Sequence, residues 1–115
     1  MLVFSAKVKY HLCCTLIDMR KGFDGLSGLV LNLMQQNPRT GDVFIFLNKT
    51  KTHIKMLYWD EDGFVIFYKR LEKGTFDFLK DESISKELKR EELVLILSGL
   101  KVDKYKKKKR YLSPK

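Results

Sequence analysis

The stretch MLYWDEDGFVIFYKRLEKGTF, residues 56–76, decides how the chain is read. Three consecutive acids, Asp60, Glu61 and Asp62, stand between two strongly apolar runs. Either they gather a hard cation, which wants oxygen donors, or they form the tip of a β-hairpin. A hairpin with a four-residue tip over residues 60–63 sets Trp59 opposite Phe64 and Leu57 opposite Ile66, a consistent cross-strand apolar set. Gly63 can supply the positive φ of such a turn, and the acids solvate it. Three adjacent residues on a tight tip cannot all point at one ion, and no fourth acid stands at a matching spacing. The acids read as a turn, with no metal site.

Residues 43–47, 53–59 and 64–71 are then three β-rich runs separated by NKTKT and DEDG, the pattern of an antiparallel meander. Upstream, AKVKYHLCCTLI (residues 6–17) is rich in β-branched and aromatic types and reads as another strand. DMRKGFDGLSGLVLNLMQQN (residues 18–37) changes period. Phe23, Leu26, Leu29, Val30, Leu33 and Met34 recur on one helix face, and Asn37-Pro38 should end the helix. Gly22, Gly25 and Gly28 are poor helix formers; they suggest close backbone packing, or a backbone kept bare for a partner. Downstream, KGTFDF is a candidate short edge strand. EELVLILSGL reads as a short buried helix with Glu91 and Glu92 at its start and Gly99 as its C-cap. The expected fold class is α+β. It comprises an antiparallel meander of four to five strands, one amphipathic helix packed on it, and a short C-terminal helix. One globular domain is expected over residues 1–100, followed by an extended, disordered basic tail over 101–115.

Length and composition fit this reading. The chain has 115 residues with 44% hydrophobic side chains, enough for one modest core. No apolar run reaches the roughly 18–20 residues of a membrane span. Lys7, Lys9 and His11 break the N-terminal apolar stretch, so it does not read as a signal peptide. A cytoplasmic protein is expected, and the adjacent Cys13 and Cys14 agree, because neighbours in sequence make neither a usual disulfide nor a zinc pattern. The net charge of +9 is unevenly spread. Residues 101–115 carry eight basic side chains against Asp103 alone, a net of +7; the fifteen basic and thirteen acidic residues before them leave +2. Such a block attracts polyanions.

No constellation reads as an active site. His11 and His53 each sit on an expected strand without a nucleophile pattern, and there is no phosphate-binding G-x-x-x-x-G-K-[ST] loop. No cofactor and no small-molecule substrate are expected, and the chain reads as a non-enzyme. The cations are better placed. Lys49 and Lys51 lie in NKTKT, His53 and Lys55 alternate along one strand, and Lys69-Arg70 lie on its partner. A two-stranded ribbon with cations at alternate positions can follow a phosphate backbone or enter a major groove; the same pattern also simply keeps one sheet face wet. Tyr58, Trp59 and Tyr68 could stack on bases or form a protein-docking patch.

TLIDMRKGFDGLSGLV (15–30), IKMLYWDEDGFVIFYKRLEKGTF (54–76) and ELVLILSGL (92–100) together resemble the Orf2-like, or TnpB, accessory proteins of the insertion-sequence-66 transposon family, over residues 5–100. The positions that match its most recognisable motifs are Asp18, Arg20, Lys21, Gly22, Phe23, Asp24, Gly25, Trp59, Asp60, Gly63, Lys69, Arg70, Leu71 and Gly74. Glu61, where a small residue is expected, and the lysine-rich tail are departures. The resemblance implies a small protein encoded beside a larger transposase and needed for efficient movement of the element, with no catalytic residues to carry over. Its expected partners are DNA, chiefly element ends, and the element-encoded transposase; no membrane is expected. Candidate phosphate contacts are Arg20, Lys21, Lys49, Lys51, Lys55, Lys69, Arg70 and the tail's Lys106, Lys107, Lys108, Lys109 and Arg110. Candidate partner contacts are Tyr58, Trp59 and Tyr68. The alternative is an adaptor that docks on the transposase without touching DNA.

Overall fold

The computed structural model describes residues 7–76 and 82–98. Seven elements follow one another: β1 (Tyr10–Cys13), α1 (Phe23–Asn32), β2 (Val43–Leu47), β3 (His53–Asp60), β4 (Gly63–Arg70), β5 (Ser85–Leu88) and α2 (Arg90–Leu97). The strands form one sheet in the order β4-β3-β2-β1-β5, and the fold is α+β.

The sheet is mixed, which corrects the expectation of an all-antiparallel one. β1 and β2 run parallel, with Tyr10, His11 and Leu12 beside Val43, Phe44 and Ile45. The reason lies in the connection: α1 separates the two strands and carries the chain back to its starting end, as parallel neighbours require. Every residue of β2 is buried, as befits a central strand covered on both faces. β2, β3 and β4 pair antiparallel, and the hairpin register sets Trp59 opposite Phe64 and Leu57 opposite Ile66.

The tip is tighter than the four-residue turn expected. Asp60 and Gly63 form the last rung, leaving Glu61-Asp62 as a two-residue loop. The left-handed conformation falls on Glu61 (φ 53°), not on Gly63; a two-residue hairpin needs positive φ inside its loop, and Gly63 already belongs to a strand.

Two layers of side chains cover the sheet. On one face Leu26, Val30 and Met34 of the α1 segment close over Cys13, Phe44, Phe46 and Leu57. On the other, Leu93 and Ile96 of α2 join Tyr10, Leu12, Ile45, Ile54 and Met56. α1 is shorter than the apolar spacing suggested, and Phe23 at its start is half exposed. It ends before Pro38 because Gln35 turns left-handed (φ 57°), while the Met34 and Gln36 amides donate back to Leu29 and Val30. A Cβ on Gly25 would come within 3.1 Å of the Lys21 side chain, whereas one on Gly28 would meet nothing within 4 Å. Close packing therefore explains Gly25 and not Gly28.

Among the described residues of the strand expected over 6–17, Tyr10–Cys13 alone is regular, and the chain touches the sheet again through a parallel bridge, Ile17 to Asn48. KGTFDF forms no strand over residues 73–76, and its residues 77–78 lie outside the described residues. The far edge is instead β5, paired antiparallel with β1. At α2 the Glu92 carboxylate accepts the Lys89 amide (3.0 Å), a favourable charge and bond at a helix start. Gly99 lies outside the described residues.

Candidate nucleic-acid interface

The polypeptide between β1 and α1 is a loop, and its conformation follows from Asp18. The Asp18 side chain accepts the Arg20 amide (2.8 Å), the local bond by which an Asp organises a turn. The Lys21 amide donates to the Asp18 carbonyl (3.2 Å). Arg20 then folds its guanidinium back on the same carboxylate, Nη2 lying 2.7 Å and Nε 3.0 Å from Oδ2. The Arg20 hydrogen bonds hold the Asp18 carboxyl well below the ordinary carboxylate range, at about 2.

Lys55 fastens this loop to the sheet. It is buried, at 8% exposure. Its ammonium donates to the Met19 (2.6 Å) and Lys21 (2.9 Å) carbonyls and lies 4.7 Å from the centre of the Tyr68 ring. Lys55 is therefore placed inside the structure and not on the wet face where its alternation with His53 put it.

NKTKT is the second loop, organised by Asn48. The Asn48 Oδ1 accepts the amides of Thr52 (3.0 Å) and His53 (3.1 Å). Thr52 Oγ1 lies 2.8 Å from both Thr50 Oγ1 and His53 Nδ1, and Lys51 takes a left-handed φ of 57°. The Ile17 amide donates to the Leu47 carbonyl (2.9 Å), which seats the two loops side by side. A shallow cleft of about 300 Å³ runs between them, lined by Ile17, Asp18, Met19, Asn48, Lys49 and Thr50. A second, of about 270 Å³, is lined by His53, Tyr68 and Arg70.

One end of the sheet thus gathers the segments that carry Arg20, Lys21, Lys49, Lys51 and Arg70, which lie far apart in sequence. Their availability differs. Among the described residues, neither Lys21 nor Lys49 is ion-paired and both are exposed, while Arg20 is held by Asp18 and Arg70 lies 3.5 Å from Glu72. Lys69 points to the opposite face, where its ammonium donates to the Leu97 carbonyl (2.8 Å) at the end of α2. A cation there complements the negative end of the helix. Lys106, Lys107, Lys108, Lys109 and Arg110 lie outside the described residues.

The three aromatic candidates do not form one patch. Trp59 and Tyr68 share the α1-bearing face, whereas Tyr58 turns to the α2 side and packs on that core. Tyr68 is 52% exposed. Trp59 meets Phe64 edge-on at 5.0 Å, and the Arg39 guanidinium covers both rings at 5.0 and 5.8 Å. Arg39, a cation over aromatic faces, was not singled out from the sequence; the only signal was its place in the turn after Pro38.

Elsewhere, His11 is buried, stacked on Phe44 at 5.1 Å and bonded through Nε2 to Asp42 Oδ2 (3.0 Å). That pair ties the turn before β2 to β1. Among the described residues no group of three or more His, Cys, Asp or Glu side chains could hold a metal ion. Nor is any helix among them long and apolar enough to cross a membrane.

Comparison with known proteins adds the lineage. The chain is 33% identical over 92 residues to the uncharacterized protein y4jC of Sinorhizobium fredii (strain NBRC 101917 / NGR234), covering 80% of this chain and 79% of that one. It is 31% identical over 83 residues to the uncharacterized protein y4hO of the same strain, covering 72% of each. No solved structure matches. The family described as IS66 Orf2 like protein matches residues 8–107. This chain belongs to the IS66 Orf2-like family.

Proposed function

We propose that the protein is a non-catalytic, cytoplasmic accessory factor for transposition of an insertion sequence, and that its basic end contacts the DNA backbone. Membership of the family supports the transposition role. The observation that carries the DNA reading is the convergence of the Asp18 and Asn48 loops, which sets the exposed Lys49 in the lining of a cleft whose other wall is Ile17, Asp18 and Met19, two residues before the exposed Lys21. Two ordered loops presenting ammonium groups, with Arg70 and Lys51 close by, suit contact with successive phosphates. Such contact carries no base preference by itself. The basic segment 101–115, with its net of +7, adds a long-range attraction for the same polyanion. Residues 1–100 then act as one folding unit bearing this extension.

The test is a binding titration with duplex element ends and unrelated duplexes at several salt concentrations. Each phosphate neutralised contributes roughly 0.9 to the slope of log affinity against log salt. Lys21→Glu/Lys49→Glu should lower affinity and flatten that slope by about two. A double variant that binds like the parent removes this end from the interface.

The second reading is an adaptor that docks on the transposase without touching DNA. The half-exposed Tyr68 and Phe23 on this face favour it, because exposed aromatics mark partner surfaces. Capture of purified transposase that survives nuclease treatment and is lost in Tyr68→Ser would select it.

A further inference from the structure

The two edges of the sheet differ in kind. β5 is four residues long and carries Lys86 and Glu87, the usual means by which an edge is blunted. β4 is eight residues long, GFVIFYKR, with neither proline nor charge over residues 63–68. The Leu71 amide donates inward to Thr52. The alternation of an antiparallel ladder then turns the N–H and C=O of Phe64, Ile66, Tyr68 and Arg70 away from the sheet. Among the described residues no strand pairs with them.

We propose that a second copy of this chain docks on this edge, antiparallel, about a two-fold axis at Ile66, to make one continuous sheet. The charge pattern selects that occupant. β4 begins beside the acids Glu61 and Asp62 and ends with Lys69 and Arg70, so antiparallel self-pairing brings opposite charges together. Centred on Ile66, the register sets Phe64 against the second copy's Tyr68 and Ile66 against its own equivalent. Both are outward-facing positions that exchange backbone bonds. Val65 falls against Phe67 on the other face, and Arg70 against the second copy's Asp62. Aromatic and β-branched cross-strand pairs are the favourable ones. Moving the axis to Phe67 would set Arg70 against Phe64 and Asp62 against the second copy's Glu72, a like charge. The Arg70–Glu72 contact is long and exposed, so Arg70 can turn to the new partner. One strand edge is a small interface, so the dimer should be concentration-dependent, with a dissociation constant in the micromolar range.

Sedimentation velocity of the full chain across a concentration series, at fixed salt, tests this. The expected result is a monomer–dimer equilibrium. Tyr68→Pro removes an outward amide while the inward bonds to β3 remain, a position where an edge strand tolerates proline. It should weaken the dimer at least about tenfold with an unchanged far-UV spectrum. Asp62→Arg and Arg70→Asp, both exposed changes that spare folding, should each weaken it, and the double exchange Asp62→Arg/Arg70→Asp should restore it. A monomer at every concentration overturns the proposal. So does a dimer indifferent to the single charge reversals, or a double exchange that fails to restore association.

Discussion

Replacing Lys55 with Met separates a lysine that holds the fold from one that touches DNA. Methionine keeps the apolar stem and removes the ammonium, so two carbonyls, of Met19 and Lys21, lose a charged donor at 2.6 and 2.9 Å. Hydrogen bonds to a charged group contribute about 1.5–3 kcal/mol each, and the contact with the Tyr68 ring about 1 kcal/mol more. Against this stands the desolvation of an ammonium that is 8% exposed, a penalty that the variant no longer carries. Water reaching the freed carbonyls offsets a further part. The net loss should be about 2–3 kcal/mol, or roughly 10–15 °C in Tm for a domain of this size. Thermal unfolding followed by circular dichroism measures it. Below the new Tm, the slope of DNA affinity against salt should match the parent, because the ammonium is engaged by the Met19 and Lys21 carbonyls. A Tm within about 2 °C of the parent, together with a slope flattened by about one, would refute the buried role and restore Lys55 as a phosphate contact.

Asp18 provides a pH prediction. Its carboxyl is held at about 2 in the folded chain, below the ordinary value of about 3.9. A depressed carboxylate contributes stability that is fully present above the unfolded value and is lost as pH falls through the folded one. The loop should therefore begin to loosen below about pH 4 and be released near pH 2. Arg20→Ala should raise the Asp18 titration, read by carbon NMR, toward the ordinary range but short of it, because the amide of residue 20 still donates to the carboxylate. Burial pushes the Cys13 thiol up, so Cys13 should react with a thiol reagent far more slowly than the half-buried Cys14; equal rates, read by mass spectrometry, would contradict its placement. Gly28→Ala fills open space in a helix interior and should raise stability by about 0.5–1 kcal/mol. A variant that is more stable by denaturant titration yet binds its partner less well would show that the bare backbone at Gly28 serves contact.

Sequence alone was sufficient wherever the physics is local. The apolar alternation around DEDG set the β3–β4 register, since a one-residue slip would move every apolar side chain to the other face. The helical recurrence of Phe23, Leu26, Leu29, Val30, Leu33 and Met34 marked the covered face of the α1 segment for a similar reason, with Phe23 at its start the exception, half exposed. The motifs DMRKGFDGL and LYWDEDGF…YKRLEKG identified the family. Other features depended on where distant segments meet. The parallel pairing of β1 with β2 follows from an α1 crossover whose landing site no local pattern encodes. β5 was missed because SKEL has little strand character and pairs only once β1 offers an edge. Lys49, Lys55 and Lys69 look alike as letters at alternate or neighbouring positions. Tertiary structure gave them three fates: one exposed beside a cleft, one spent on two loop carbonyls, and one capping α2 across the sheet. A lysine's role is set by the acceptors that long-range folding brings within about 3 Å, and that information is absent from its neighbours in the chain.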